Sequence, residues 1–301
     1  MKIFIAGGTG FVGSYLVSEL LSRGHEIRLL VRNKNSFSGT VNVETVGGDL
    51  MKRDSIAGVC AGCDAIINLV GIIREFPGRG ITYDRFHYEA VQNLIEEANR
   101  SGVKKWIQMS ANGARKNGVS RYQSSKAGAE ELLTSANFNL TIFRPSLIFG
   151  RPPADSIEFC TQMLGVLKSS PVAVLFGDGE YEMQPLHVTD VARAFSSAVE
   201  NETNRQIVFH LGGRDRFRYR EILDMICEGA EIGKRIKLPI PYKIIRPVIS
   251  ILGRFTFFPA TVDQTDMLVE GNVVPETDYI NTFGIEPIRF SKENLAYLKE
   301  M

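Results

Sequence analysis

The sequence predicts an α/β fold built on a doubly wound parallel sheet, with helices on both faces. Short β-rich segments alternate with longer helical patterns through the first half of the chain, which is typical of βαβ units. The strand segments, such as Ile3-Phe4-Ile5-Ala6, are almost wholly apolar. A strand needs that composition when both of its faces are buried, as they are in a parallel sheet.

Each element is assigned from its local pattern, in chain order. The predicted strands cover residues 2–6, 26–31, 41–46, 65–69, 105–109 and 140–144. The predicted helices cover residues 11–22, 83–100 and 121–136. In the last helix, Ala127, Leu132 and Ala136 recur with charged residues between them, which indicates one packed face.

A glycine-rich segment, Gly7-Gly8-Thr9-Gly10-Phe11-Val12-Gly13, follows the first strand and opens the first helix. Gly7 permits a tight turn, Gly10 lets the backbone approach a pyrophosphate, and Gly13 lets the helix pack on the strand. The free N–H groups of that helix then face the phosphates. The sequence therefore predicts a Rossmann-type dinucleotide site, with contacts from Gly7, Thr9, Gly10, Phe11, Val12 and Gly13.

The pattern changes after Gly150, where prolines interrupt the strand–helix rhythm. We expect an NAD(P)-binding Rossmann domain at residues 1–150. Residues 151–301 are expected to form a smaller C-terminal lobe on the substrate side, with segments that return to the main sheet.

Composition excludes several classes of protein. The 301 residues are 44% hydrophobic and 23% charged, with a formal net charge of +1, which gives no electrostatic reason to expect nucleic-acid binding. No uncharged run approaches the length of a membrane-spanning helix, and the N-terminus lacks a signal-peptide pattern. The four cysteines and four histidines are dispersed, so we expect no metal site and free thiols in a reducing compartment. The expected location is cytoplasmic, with a peripheral membrane association as the alternative.

The glycine spacing resembles that of the short-chain dehydrogenase/reductase superfamily, particularly its extended and atypical branches, and the resemblance continues to about residue 198. It implies that Asp49 and Leu50, after the third strand, meet the adenine end of the cofactor. It also implies that the turn Leu69-Val70-Gly71 lies along the cofactor and that Pro145 meets the nicotinamide amide.

The end of the second strand favours NADP(H). An NAD site usually places Asp or Glu there, whereas this strand ends Leu30-Val31-Arg32-Asn33-Lys34, with no acid. A guanidinium can bind a ribose phosphate bidentately. We expect Arg32 to be the main contact, beside Asn33 and with support from Lys34. NAD(H) stays open as the second candidate, and a solvated surface role is the alternative for Arg32.

The segment Tyr122-Gln123-Ser124-Ser125-Lys126 matches the superfamily's Tyr-x-x-x-Lys. Residues four apart share a helix face, so both side chains reach one nicotinamide ribose. A nearby ammonium favours the phenolate, so Tyr122 is expected to move a proton while Lys126 holds the ribose hydroxyls. The expected polariser of the substrate oxygen is Ser110, which aligns with the superfamily's serine run, or Asn112.

Four further features point to one branch of the superfamily. They are the shortened interval from Ser110 to Tyr122, Arg32 at the end of the second strand, the run from Gln184 to Ala192 and the stretch from residue 261 to 274. Together they resemble the branch that contains the nucleotide-binding accessory subunit of respiratory complex I and its bacterial relatives. The resemblance implies tight cofactor binding that is largely structural, and a link of some relatives to quinone or membrane redox systems.

Residues 240–258 are rich in Ile, Val and Phe but carry Lys243, Arg246 and Arg254. Cations beside apolar residues can mark a helix that lies on a membrane surface. We expect the alternative, a buried helix with its charges outward.

Three functions follow as hypotheses. The first is an NADP(H)-dependent oxidoreductase or epimerase-like enzyme acting on a carbonyl or hydroxyl group of a small-molecule substrate that the sequence does not identify. The second is a non-catalytic, cofactor-stabilised structural or assembly protein of a membrane redox system. The third is a sensor that binds NADP and NADPH unequally and relays the difference to a partner.

Overall fold

The structure, a computed structural model, describes residues 1–32, 42–154, 156–201, 207–253, 255, 258 and 260–301. Two residues of the predicted cofactor site, Asn33 and its neighbour Lys34, lie outside the described residues.

A seven-stranded parallel sheet forms the centre of the molecule, with strand order β11-β6-β5-β4-β1-β2-β3. This confirms the predicted α/β, doubly wound fold. The strands, in chain order, are β1 (Lys2–Ala6), β2 (Glu26–Val31), β3 (Val43–Gly47), β4 (Ala65–Asn68), β5 (Lys105–Met109), β6 (Asn139–Pro145), β7 (Ile148–Phe149), β8 (Val172–Phe176), β9 (Glu182–Met183), β10 (Leu186–His187), β11 (Ile207–Leu211), β12 (Phe217–Arg218) and β13 (Ile236–Ile240).

Helices cover both faces of this sheet. They are α1 (Phe11–Ser22), α2 (Ala90–Ser101), α3 (Arg121–Ser135), α4 (Phe159–Ser169), α5 (Val188–Glu200), α6 (Tyr219–Gly229), α7 (Tyr242–Leu252), α8 (Val262–Glu270) and α9 (Tyr279–Phe283). One face packs α1 and α5 against the sheet in a single apolar cluster. The opposite face packs α2 and α3, with Trp106 fully buried against Phe138.

The predicted helix at residues 83–100 is not a uniform α-helix. A π-helical turn, Asp84–Glu89, precedes α2. The wider turn adds a residue to each hydrogen-bonded ring, so side chains before and after it do not follow one α-helical face. This turn carries His87, which enters the site described below.

Segments from the second half of the chain join the central sheet. β11 is its outermost strand beside β6, and α5 packs along α1. The remainder has a third apolar cluster, built from α4, α6, β8 and the last turn of the chain at residues 296–300. The proposed division near residue 150 therefore stays a prediction about folding units, and the sheet contains strands from both sides of it.

The prediction of a buried helix at residues 240–258 is wrong for α7, the helix that the structure describes there. α7 exposes most of its surface, including Ile244 at 66% and Ile251 at 63% of their maximal area, and buries only Ile249 fully. Helical periodicity groups apolar residues on one face but does not decide whether another element covers that face.

A buried carboxyl group joins α5 to the last segment of the chain. Asp190 is fully inaccessible to solvent, and its Oδ2 accepts a hydrogen bond from the Ile288 amide at 2.7 Å. Burial raises the pKa of Asp190 to about 6, against the opposing effects of that hydrogen bond and of Arg193. The folded state therefore holds this proton more tightly than the unfolded state does.

We expect Asp190 to lower the free energy of unfolding as pH rises from about 4 to above 6, because this carboxyl group ionises at lower pH in the unfolded chain than in the folded one. The difference from the ordinary pKa of 3.8 corresponds to at most about 3 kcal/mol. Urea denaturation of the wild type and Asp190→Asn across this range should show a smaller advantage of the wild type at higher pH. The variant is the needed reference, because His87 and His187, whose pKa values are lowered by burial, titrate in the opposite sense. Parallel curves for the two proteins would contradict this assignment.

Candidate functional site

The candidate site lies at the carboxyl edge of the sheet, where the glycine loop meets the turn after β4. Gly7 adopts a left-handed conformation with φ of +84°, and a Cβ there would lie 3.1 Å from Leu69 and Val70 backbone atoms. A Cβ on Gly13 would lie 2.5 Å from the Gly8 Cα, and closer still to the Gly7 carbonyl oxygen. The loop can therefore fold this tightly only with glycine at these positions.

The first turn of α1 faces the space above this loop. Gly10 precedes the helix in an extended conformation, and no side chain caps the helix. The first helical hydrogen bond runs from the Ser14 amide to the Gly10 carbonyl at 2.9 Å. The N–H groups of Phe11, Val12 and Gly13 come before that bond and need acceptors from outside the helix. Thr9, on the loop itself, is exposed. This arrangement suits a diphosphate.

Arg32 lies at the same edge as the glycine loop. β1 pairs with β2 so that Ala6 faces Leu30, and Gly8 and Arg32 each follow two residues later. Arg32 is exposed and comes directly after the last residue of β2. A cation, not an acid, therefore occupies the strand end next to the phosphate loop.

The two residues predicted after β3 differ in their exposure. Asp49 is half-buried, and its Oδ1 accepts the Met51 amide at 3.0 Å. Leu50 is 3% exposed and packs in the apolar cluster on the α2 and α3 face of the sheet. Asp49 can still offer its second oxygen to a ligand, whereas the Leu50 side chain contributes to the core.

A buried polar network, which the sequence analysis missed, shapes the turn after β4. The Asn68 Oδ1 accepts the Val70 amide at 3.1 Å, and its Nδ2 donates to the Gln108 Oε1 at 3.1 Å. The Trp106 indole donates to the same oxygen at 3.1 Å. The sequence did carry a signal for this network, namely the side-chain amides of Asn68 and Gln108 inside otherwise apolar strands. Buried polar side chains require hydrogen-bond partners.

Lys126 reaches across to this turn from α3. Its Nζ lies 2.8 Å from the position of a Cβ on Gly71, and it donates to the Met109 carbonyl at 3.3 Å. The side chain is 5% exposed. Among the described residues, that carbonyl is its one hydrogen-bond acceptor, so a buried ammonium keeps two donors for a ligand.

Tyr122 lies one turn before Lys126 on the same helix, with the Nζ 5.9 Å from its ring centroid. Burial raises the pKa of Tyr122 to about 12 and lowers that of Lys126 to about 8. The expected shift of Tyr122 toward phenolate is therefore wrong, because burial favours the neutral phenol. In the part of the chain that is described, no residue hydrogen-bonds to the Tyr122 hydroxyl.

His87 completes the cluster and was missed by the sequence analysis. Its ring packs edge-on against Tyr122 with centroids 5.4 Å apart. The Nε2 accepts the Ile72 amide at 3.0 Å, and the Nδ1 lies 2.7 Å from the Ser125 Oγ. Burial, with Lys126 nearby, lowers the pKa of His87 to about 2, so the ring is neutral and its hydrogen is on Nδ1. His87 therefore connects the cofactor turn to the helix that carries Tyr122.

The two expected polarisers have other partners. The Ser110 hydroxyl is buried and donates to Glu130, which forms a two-point ion pair with Arg144. The Asn112 amide donates to the Asn272 Oδ1 at 2.8 Å and the Val273 carbonyl at 3.1 Å. The structure thus does not bring either donor to the Tyr122 hydroxyl.

Pro145, the predicted nicotinamide contact, ends β6. Its carbonyl oxygen accepts a hydrogen bond from the backbone N–H of Asn112, with 2.9 Å between nitrogen and oxygen. The end of β6 and the segment after β5 are therefore held together.

Two cysteines, Cys60 and Cys63, lie three positions apart in the chain but are not activated. Cys60 and Cys63 are buried, and burial raises the pKa of both thiols, so neither is a ready nucleophile. Across the described residues, no cluster of three or more His, Cys, Asp or Glu side chains could hold a metal ion.

The sequence model described as "NAD dependent epimerase/dehydratase family" matches residues 3–212. The chain belongs to that family. A structure of MoeE5 in complex with UDP-glucuronic acid and NAD superposes with a TM-score of 0.76 at 18% identity, covering 100% of this chain and 98% of the other.

Curated relatives include subunits of respiratory complexes. The chain is 25% identical to the mitochondrial NADH-ubiquinone oxidoreductase 40 kDa subunit of Neurospora crassa, over 98% of this chain and 78% of that protein. It is 30% identical to the NADH dehydrogenase [ubiquinone] 1 alpha subcomplex subunit 9 of Arabidopsis thaliana, over 79% and 60%. A 3-beta-hydroxysteroid dehydrogenase of Mycolicibacterium neoaurum is 26% identical, over 66% and 61%. The predicted relationship to complex I accessory subunits is confirmed.

We expect Gly13→Ala to abolish dinucleotide binding and to lower the free energy of unfolding by about 2 kcal/mol, because backbone atoms surround the added methyl group. Calorimetric titration and urea denaturation measure the two effects. Gly165→Ala in α4 is the matched control, since nothing lies within 4 Å of its Cβ position. The free energy of unfolding of that control should rise by about 0.5–1 kcal/mol. Normal cofactor affinity in Gly13→Ala would contradict the role of the loop.

Proposed function

We propose that this protein is an NADP(H)-dependent oxidoreductase that reduces a carbonyl group of a small-molecule substrate. The observation that carries the proposal is the pair of unsatisfied groups beside the glycine loop. Lys126 is a buried ammonium with one long protein hydrogen bond, and the Tyr122 hydroxyl has no partner in the described chain. Both groups gain hydrogen bonds if a ribose and a substrate oxygen occupy the space between them.

The residues at the site fit a nicotinamide dinucleotide. The glycine loop and first turn of α1 would hold the diphosphate, Asp49 the adenine end and Lys126 the ribose hydroxyls. Bound NADPH supplies a hydride. The family match and the NAD held by MoeE5 support this part of the proposal.

The protonation state of Tyr122 favours the direction of reduction. With a pKa of about 12, the hydroxyl is protonated at neutral pH and can donate to a carbonyl oxygen, but it cannot accept a proton. Lys126, with a pKa of about 8, remains charged at neutral pH and stabilises the tyrosinate that the transfer leaves. Burial keeps His87 neutral, and hydrogen bonds with Ile72 and Ser125 hold its ring, so it orients the Tyr122 ring and does not exchange the proton.

The chain's own residues also support NADP(H) over NAD(H). Arg32 is exposed at the strand end where an NAD site usually carries an acid. A guanidinium there would pair with a 2′-phosphate and would gain nothing from an unmodified ribose.

A second function has its own support. Ser110 and Asn112 are both engaged by protein groups, so the described site lacks a second donor for the substrate oxygen. That arrangement suits a protein in which the dinucleotide stabilises the fold, and the names of the Neurospora and Arabidopsis relatives suggest a partner in a membrane redox complex. Bound ligand at a hundredfold excess over its dissociation constant would add about 2.7 kcal/mol.

The two functions are separated by turnover. We expect Tyr122→Phe to lower kcat for NADPH-dependent reduction at least about a hundredfold, since it removes the proton donor and keeps the ring packing on His87. NADPH affinity should change less than about threefold, because Lys126 and the loop remain. NADPH oxidation with a panel of ketones and aldehydes measures the first effect, and calorimetry measures the second.

Tyr88→Phe, on the exposed side of the π-helical turn, is the control. Undiminished activity in Tyr122→Phe would reject the catalytic role, and binding without turnover on any substrate would favour the second function.

Cofactor choice is tested with Arg32→Ala. We expect the dissociation constant for NADP⁺ to rise roughly ten- to a hundredfold, since one charge-assisted pair is lost. The constant for NAD⁺ should stay unchanged. Arg216→Ala removes an exposed arginine of the C-terminal half and should affect neither. Nucleotide released by denaturing the purified protein identifies the natural cofactor, and finding only NAD(H) would overturn the preference.

A further inference from the structure

An exposed apolar stripe, defined as Ile244, Val248 and Ile251, runs along α7. These residues are spaced by four and three positions, so they share one face of the helix. Their exposed fractions are between 48% and 66%. Scattered exposed apolar residues are ordinary, but a row on one face indicates an interaction surface.

The charge of the surrounding segment identifies the kind of partner. Residues 232–262 contain six Lys and Arg and no Asp or Glu, whereas the remaining 29 Lys and Arg of the chain are outnumbered by its 34 Asp and Glu. Three of the six, Lys234, Lys237 and Arg246, have carboxylate partners from other segments. Lys243, next to Ile244 on α7, is exposed and has no such partner among the described residues.

The helix has the dimensions of an in-plane element. α7 is 11 residues long and contains Pro247. Within the described residues, no helix is long and apolar enough to cross a membrane. A short helix with an apolar face and a free cation suits the headgroup region of a bilayer, with its apolar side chains inserted below.

We propose that α7 docks this protein onto a bilayer that carries anionic lipids, with the apolar stripe inserted and Lys243 at the phosphate level. Anionic headgroups would complement a segment in which cations outnumber acids. A neutral apolar groove on another protein would not complement that charge. The proposal is independent of whether the site turns over a substrate.

The inner side of α7 is tied to the candidate site. Tyr242 and Arg246 bind Asp266 of α8, and the Asp263 carboxylate of α8 accepts the Arg121 amide beside Tyr122. Arg74, three residues after Gly71, donates to the carbonyls of Gly253, Phe255 and Phe258. Docking through the stripe would therefore bring the segments next to Tyr122 and Gly71 close to the membrane surface.

Vesicle flotation with the purified full chain tests this proposal. We expect binding to vesicles of phosphatidylcholine with about one third phosphatidylglycerol, weaker binding to phosphatidylcholine alone, and loss of the difference at high salt. Ile244→Ser, Val248→Ser and Ile251→Ser combined should weaken binding by roughly a hundredfold. The matched control combines Ile157→Ser, just before α4, and Val166→Ser, within α4, two exposed apolar positions, and should bind like the wild type.

A spectroscopic variant locates the contact. The chain has one tryptophan, Trp106, which is fully buried. Val248→Trp should therefore give a new emission that shifts to the blue and is quenched by brominated lipids when vesicles are added, whereas Ile157→Trp should not respond. Three outcomes would overturn the proposal: no flotation with either vesicle, flotation unchanged in the triple variant, or a concentration-dependent dimer that the triple variant abolishes, which would make a second copy of the chain the occupant.

Discussion

Backbone-on-backbone packing at the carboxyl edge of the sheet is the constraint on which the site depends. The glycine loop touches the turn after β4 through main-chain atoms, and the start of α1 rests on the loop in the same way. No side chain fits between these segments, so their positions are fixed by the sheet itself. The unbonded amides of α1 and the turn that meets Lys126 are consequently held in one place before any ligand arrives, which lowers the cost of binding.

Burial, not pairwise attraction, sets the protonation states around that edge. Tyr122, Lys126 and His87 pack together, and burial shifts the pKa of each toward its neutral form. Glu130, by contrast, is paired with Arg144 through two hydrogen bonds.

The sequence was sufficient for features that depend on local pattern. β1, β2, β5 and α1 lie where the alternation of apolar runs and the glycine loop predicted them, and the α/β class follows from the same pattern. What could not be predicted depends on contacts between distant residues. Ser110 aligns with the serine run of the superfamily, but its hydroxyl donates a hydrogen bond to Glu130, which lies twenty residues later in the chain. α7 has a clear apolar face, and only the packed molecule shows that nothing in the described chain covers it.

The π-helical turn has a consequence for how this site can change over time. Each of its hydrogen bonds spans one residue more than those of an α-helix, so the removal of one residue after His87 would restore a continuous helix and rotate the part before it by about 100°. His87 and Tyr83 would then leave the ring cluster with Tyr122, while α2 kept its packing on the sheet. A change of one residue in this turn would therefore reshape the pocket without repacking the central sheet.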